Sequence, residues 1–530
     1  AGAGGAPAGA AGAGGDLEVA IIGCGIAGAT TALELLQGQA EHGRRVRITI
    51  YEQSKTLLAS TSSQIAATIN LDTAYREWLH GKSMFSVFDM VRNGFAASGS
   101  SGDTRWANFL VNTASKLTSD PRSSETQRRK VFRSSHQRLV RLVSHFPELC
   151  AALIGHWCCE AGPDARRYLE VAAGVACPSS ANPNASTLGL FQLTSDPSIC
   201  SDMKTAAQST MNGCDVKGYP DKSSCEMSGN VWQDVRYAYY DSAQTYARLS
   251  GYLSSAAEVL CSLVEHSMTG YSRSEILFEV VRDILQAAPN VQLGLGCDVA
   301  AVEPPAPGTW DADARLRVVL TPASAAAGCE LPDSRVFDRV VVAAAAASVP
   351  LLAKADPLLG NHLVGIKGYG LSGAAGAPKV PPNQSGRGLH FMDKTRRFQA
   401  AYARSTEDLR VKVWGGNDVS ATDVGAKPPY SFCGPDAAER IFRRGPACAG
   451  ELMDIGTTER LAGMRPVPSI GGSPLIKKYT GAWGNLFLNT GYGYNGYDLA
   501  WFASYCTARW LVDGLSGDPN CLAATKVGAE

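Results

Sequence analysis

Three glycines within six residues, Gly23-Cys24-Gly25-Ile26-Ala27-Gly28, have the spacing that brings a backbone up against a pyrophosphate. Gly23 allows a tight turn. Gly25 removes the Cβ that would hold a phosphate away, and Gly28 lets a helix pack close to a strand. A helix starting here offers free N–H groups and a partial positive charge to an anion. Glu52, followed by Gln53, stands where a carboxylate accepts hydrogen bonds from a ribose diol and repels a 2′-phosphate. With no ligand, the same glycines would serve only the packing of a strand–helix–strand unit.

A second glycine cluster lies near the other end. The stretch NLFLNTGYGYNGYDLAWFASY, residues 485–505, carries Gly491, Gly493 and Gly496 between an apolar strand pattern and a mostly apolar helix pattern. Tyr492, Tyr494, Asn495 and Tyr497 are interleaved with them. The stretch LLASTSSQIAATINLD, residues 57–72, places Thr61, Ser62 and Ser63 shortly after Glu52. Taken alone it reads as an ordinary Ser/Thr turn.

The elements that must position these groups are legible as patterns. Residues 19–22 form a short apolar strand, 29–37 have helix-forming composition, and 46–51 alternate as a second strand that ends at Glu52. This is the order a dinucleotide-binding unit requires, and by itself it leaves FAD and NAD both open. Residues 271–304 read as a helix and then a strand, and the alanine-rich run 340–347 reads as a buried strand.

Length and composition bound the rest. A chain of 530 residues, 45% hydrophobic and 18% charged, divides into two or three domains with large cores. Lys plus Arg and Asp plus Glu balance at 49 each, which argues against nucleic acid or an anionic membrane surface as the main partner. No uncharged apolar run reaches the roughly 18 residues of a spanning helix. Residues 1–15 are almost wholly Ala and Gly, cannot pack a core, and are expected to be a disordered tail. That tail and an initial Ala1 suggest a processed, organellar protein, with the mitochondrion as the expected compartment. Of fifteen cysteines, seven lie between Cys150 and Cys225, in a stretch rich in Ser, Pro, Asn and Gly. Their spacing matches neither a zinc ribbon nor an iron–sulfur site, so no metal is expected. The region 175–232 reads as a long surface insertion that could dock a protein complex, with reduced thiols as the leading reading of its cysteines and disulfides within it as the alternative.

With these blocks in place the chain resembles the FAD-dependent D-amino acid oxidase and dehydrogenase superfamily, in particular the small-subunit type of D-amino acid dehydrogenase. Gly463-Met464-Arg465-Pro466 and residues 486–497 are similar to its Gly-x-Arg-Pro turn and its "LFLNTGHGTLGW" strand and turn. Residues 105–117, 128–142, 337–373 and 408–423 resemble further blocks of that family in the same order. The resemblance implies an α/β fold. A discontinuous Rossmann-like FAD-binding domain would occupy 16–75, 270–360 and 455–520. An interleaved α+β substrate domain would occupy 76–269 and 361–454.

It further implies FAD as cofactor, with Thr61, Ser62 and Ser63 along the pyrophosphate and Val299 meeting the adenine. Ala344 and Ala345 would stand where the family's strand ends Ala-x-Gly. Gly463, Arg465, Gly491, Gly493, Tyr494, Asn495, Gly496 and Tyr497 would lie around the flavin. The second glycine cluster would then be glycine because a Cβ would strike the ring, and the helix after it would face the pyrimidine edge. The implied reaction oxidises the C–N bond of an amino acid or amine by hydride transfer to flavin N5. Arg465, Tyr369 and Tyr492 are the candidates for holding a substrate carboxylate. The electron acceptor is left open among oxygen, a quinone and a protein. The competing reading is a flavin-binding accessory subunit of a larger complex that no longer catalyses. It is motivated by Tyr492, where the family usually has His, and by the missing glycine in the run 343–347.

Overall fold

The computed structural model describes residues 16–42, 45–57, 68–69, 108–109, 112, 134–135, 138–139, 141–154, 190–208, 211–214, 222–227, 232–235, 237–249, 255–265, 270–272, 274–304, 315–374, 388–392, 397–404, 409–419, 459–469, 474–493, 496–513 and 521. The tail 1–15 and the cluster Thr61, Ser62 and Ser63 lie outside the described residues, as do Tyr494 and Asn495.

The first strand, β1 (Leu17–Ile22), leads into helix α1 (Ile26–His42) and strand β2 (Val46–Glu52). Helix α2 (Ser274–Ala287) and strand β3 (Val291–Leu295) follow much later. Three strands, β4 (Val299–Glu303), β5 (Leu316–Leu320) and β6 (Ser334–Phe337), form an antiparallel meander. Strand β7 (Arg339–Val342) comes next, then β8 (Leu363–Ala374) and β9 (Glu459–Pro468). Strands β10 (Leu475–Lys478) and β11 (Leu486–Thr490) and helix α3 (Gly496–Asp513) close the chain.

The six-stranded sheet has the order β3-β2-β1-β7-β11-β10. All neighbours are parallel except the edge pair β10 and β11. Helices α1, α2 and α3 cover one face, and the meander covers the other. A parallel strand buried on both faces must be apolar at every position, and β1 (LEVAII) and β11 (LFLNT) are buried almost throughout. The expected strand over 340–347 is shorter: β7 stops at Val342, and residues Ala345–Ala347 make a 3₁₀ turn. Ala345 has φ +51°, outside the extended region, so the strand cannot continue through it.

A second, eight-stranded sheet has, in order, β9, β8, Leu409–Val419, Arg397–Arg404, Gly388–Met392, Leu190–Thr194, Cys261–Glu265 and Tyr237–Asp241. It reaches past residue 454, because β9 pairs along its whole length with β8. The reading of 175–232 as a surface insertion is corrected. Leu190–Thr194 is an interior strand of this sheet, bonded on both sides, and Leu193 is fully buried. The high local content of Ser, Pro and Gly concealed one five-residue strand.

The expectation of reduced cysteines is corrected as well. Disulfides join Cys200 to Cys261, Cys297 to Cys329 and Cys506 to Cys521. Cys297–Cys329 ties the turn between β3 and β4 to the connection between β5 and β6. Cys506–Cys521 ties the chain beyond α3 back onto that helix. Because each sulfur pair comes together only in the folded chain, sequence spacing could not show it. Among the described residues no helix is long and apolar enough to cross a membrane.

Two measurements follow from this packing. Cys297→Ser opens a loop with a sequence separation of 32. It is expected to cost about 4 kcal/mol by loop-closure entropy, read as a lower urea midpoint, with a larger drop in the wild type under excess reductant, which opens the other disulfides too. Tyr51, edge-on to Phe337, is buried with its hydroxyl unpartnered among the described residues. Burial pushes its phenol from 10.0 up to about 12, partly offset by the charge of Arg335. Over that pH window the unfolded chain releases the proton and the folded chain keeps it, so stability falls as pH rises. Tyr51→Phe is therefore expected to stabilise by about 1 kcal/mol at neutral pH and to flatten this alkaline loss, both read from urea titrations.

Candidate functional site

In an open parallel sheet the strand ends that share one edge are the natural floor of a ligand crevice. Here β1, β7 and β11 lie side by side, so the segments that follow them, Gly23, Ala343 and Gly491 onward, emerge together. Contacts between these segments are short and mostly through backbone. A Cβ built on Gly23, whose φ is +91°, would stand 2.8 Å from the Ala343 oxygen. One on Gly28 would stand 1.9 Å from the Gly23 oxygen, which is why the helix can sit so close to the turn. Thr490 Oγ1 donates to the Ala345 oxygen at 3.2 Å, and the Gly493 N–H donates to the Pro466 oxygen at 2.8 Å.

The two glycine clusters meet. A Cβ on Gly496, the first residue of α3, would lie 3.8 Å from Cγ2 of Ile26, the first residue of α1. Two long helices thus begin side by side at the same sheet edge, and the first turn of α1 carries no acidic side chain to cancel its dipole. The positive ends of both helices therefore meet at one sheet edge, which suits a phosphate and a ring that gains negative charge.

Glu52 closes the crevice at the end of β2. Its Oε2 accepts from the Cys24 N–H at 2.7 Å and its Oε1 from the Ser54 N–H at 2.8 Å. Burial raises its pKa, and the two backbone N–H donors work against that rise. Each oxygen keeps a further lone pair, which is what a ribose diol needs. Burial pushes the Cys24 thiol far up, with the Glu52 charge adding to it, so the free sulfur of Cys24 is a small inert side chain. Val299 opens β4 and is buried beneath the meander.

Residues Gly23, Gly25, Ile26, Ala27, Gly28, Glu52, Ala344, Ala345, Gly491, Gly493 and Gly496 all belong to this one sheet edge. The sheets bring Gly463 and Arg465 to the same neighbourhood. They lie on β9 beside Met464, which packs on Ala346, and before Pro466, which takes the Gly493 N–H. Arg465 is half-buried. Tyr369 lies on β8 with its backbone opposite Ala462, while Arg465 faces Ile366 in the same register.

Tyr492 requires correction as a substrate contact. Its side chain turns inward, is 4% exposed, and its hydroxyl donates to Asn489 Oδ1. Burial raises its pKa, outweighing its hydrogen bonds to Ser504 and Asn489. The glycines of this turn also have a conformational reason of their own. Gly491 and Gly493 have φ of +76° and +57°, which only glycine adopts without strain. A Cβ on Gly491 would strike Leu475 at 2.8 Å, whereas one on Gly493 would meet no atom within 4 Å.

Sequence reasoning missed a polar cluster beneath the crevice. Asn489 Nδ2 donates to Thr31 Oγ1 at 3.0 Å and to Ser504 Oγ at 3.2 Å. Ser504 Oγ in turn lies 2.6 Å from Thr30 Oγ1 and 3.1 Å from the Ala27 oxygen. The signal was present: Asn489 ends an apolar strand and Ser504 interrupts an apolar helix.

Residues 287–510 match the model of the DAO family, described as FAD dependent oxidoreductase. Among curated proteins no sequence matches the chain. The fold is similar to the crystal structure of glycine oxidase from Geobacillus kaustophilus, at TM-score 0.52 and 14% identity over 93% of this chain and 94% of that one. It is similar to iminodiacetate oxidase from Chelativorans sp. BNC1 at TM-score 0.51 and 14% identity, over 93% and 94% of the two chains. It is also similar to L-proline dehydrogenase from P. horikoshii at TM-score 0.51 and 11% identity, over 96% of each chain. Residues 287–510 are thus similar to the DAO family, and the chain has an α/β fold of the Rossmann-like FAD-binding kind. FAD is the cofactor of that family, and the crevice fits it: paired helix N-termini for its phosphates, and Glu52 for an unphosphorylated ribose.

Ala345 is the only non-glycine residue with positive φ among the described residues. A left-handed alanine costs about 1–2 kcal/mol, while glycine loses up to about 1 kcal/mol through its freer unfolded chain. Ala345→Gly is expected to raise stability by about 0.5 kcal/mol and Ala345→Val to lower it by about 2 kcal/mol, read as opposite shifts in thermal midpoint.

Proposed function

We propose that this FAD-dependent oxidoreductase oxidises the C–N bond of an amino acid or a related amine, with D-amino acids of the dehydrogenase type as the leading substrate class. The observation that carries the reading is the meeting of both glycine turns and both helix N-termini at one sheet edge, with Arg465 on the strand bonded to it. FAD, when bound, would supply the two-electron acceptor for the hydride that leaves the substrate carbon.

The chain's own residues bind, orient and exclude water. The N–H groups at the start of α1 hold phosphate, and Glu52 holds ribose hydroxyls. Arg465 supplies a guanidinium for a carboxylate, with Tyr369 three register positions along on the neighbouring strand. No side-chain base is required, because the amine enters neutral. The titratable groups at the floor are already committed, Glu52 to backbone N–H groups and Tyr492 to Asn489. The three disulfides favour a compartment that sustains disulfides over a reducing matrix, within the organellar assignment.

The test is anaerobic titration of the purified yellow protein with a panel of D-amino acids, glycine and secondary amines. Bleaching of the flavin band near 450 nm is expected with at least one of them. A band that stays oxidised with all of them overturns the enzyme reading in favour of the accessory one. Arg465→Ala is expected to raise KM for a carboxylate substrate about 10- to 100-fold with the flavin band unchanged, the worth of a charge-assisted hydrogen bond. Glu52→Gln is expected to lower bound FAD, measured as flavin released on denaturation.

A further inference from the structure

We infer that Tyr492 is a positioning residue, the upper end of a buried brace that sets the second glycine turn against the first. The inference rests on the reading of this crevice as the cofactor site. The brace runs from Tyr492 through Asn489 to Thr31 and Ser504, and from Ser504 to Thr30 and the Ala27 oxygen. It therefore connects the segment after β11 with the first two turns of α1 and the third turn of α3. Every side chain in it is buried, so each hydrogen bond is made in a place where water cannot replace it.

The geometry at Tyr492 explains why the turn needs such a device. Gly491 and Gly493, its neighbours on either side, both take left-handed backbone. Glycine allows that conformation but does not enforce it. Outside the turn, the Gly493 N–H is held by Pro466. Inside it, the Tyr492 ring is sunk in the helix-side core, and its hydroxyl is bonded within the brace, to Asn489 and Ser504. Tyr492 thus acts through Asn489 on the register of the 491–496 turn relative to Gly23–Gly28, without touching a ligand.

The experiment measures FAD binding to the full-length apoprotein by quenching of flavin fluorescence, together with its thermal midpoint. Tyr492→Phe keeps the ring and removes the hydroxyl. FAD affinity is expected to fall about tenfold, with the spectrum of residual bound flavin altered. In an Asn489→Leu background the same substitution is expected to have no further effect on FAD affinity. A Tyr492→Phe protein that binds FAD within twofold of wild type overturns the brace, as does an equal loss in both backgrounds. Should either variant fail to fold, Ser504→Ala tests the same brace by removing one hydroxyl. About a threefold weaker FAD affinity is then expected, and unchanged affinity overturns it. A wild-type protein that takes up no FAD fails the cofactor reading itself, a result distinct from these.

Discussion

The parallel register of β1, β7 and β11 is the constraint on which the rest of the structure depends. It forces three segments far apart in sequence to leave the sheet at one edge. Once they do, Gly23 must lie against Ala343, and the segment after β11 must start its helix beside α1. The two helix N-termini become neighbours because the strands before them pair through β7. The covering of both sheet faces, by helices and by the meander, excludes water and keeps that register from slipping.

The interior behind the crevice is mostly apolar but carries a small set of polar side chains in full contact with one another. Thr30, Thr31, Asn489 and Ser504 satisfy each other, and the two threonines also donate to the Ile26 and Ala27 carbonyls in the first turn of α1. A second polar tie, Arg138 to Glu34 and Gln37, holds a neighbouring helical segment to α1 and stacks the guanidinium 3.9 Å over the Tyr505 ring. Burying such groups costs desolvation unless every partner is present, so they favour one arrangement over near alternatives. A crevice built mainly from backbone has few side-chain contacts of its own to set its geometry, and these ties supply it from below.

Function on this fold belongs to the site and not to the architecture. The solved structures with the same fold are oxidases and dehydrogenases of small amino compounds, by their own descriptions. What this chain adds is particular to it: a left-handed alanine where a glycine would be unstrained, a buried tyrosine between two left-handed glycines, and a disulfide on either side of the cofactor crevice.

The amino-acid sequence by itself determined the first strand, turn and helix, the acid that ends β2, and the second glycine cluster. In each of these the chemistry is local: a turn, a missing Cβ, a helix start. The tertiary structure alone decided which way Tyr492 points and where Leu190–Thr194 pairs. It also decided which cysteines meet and that Ala345 takes a glycine's backbone. Those outcomes depend on partners remote in sequence, such as Asn489 turning toward Thr31 or Cys297 reaching Cys329, and no pattern within one segment encodes a contact with another.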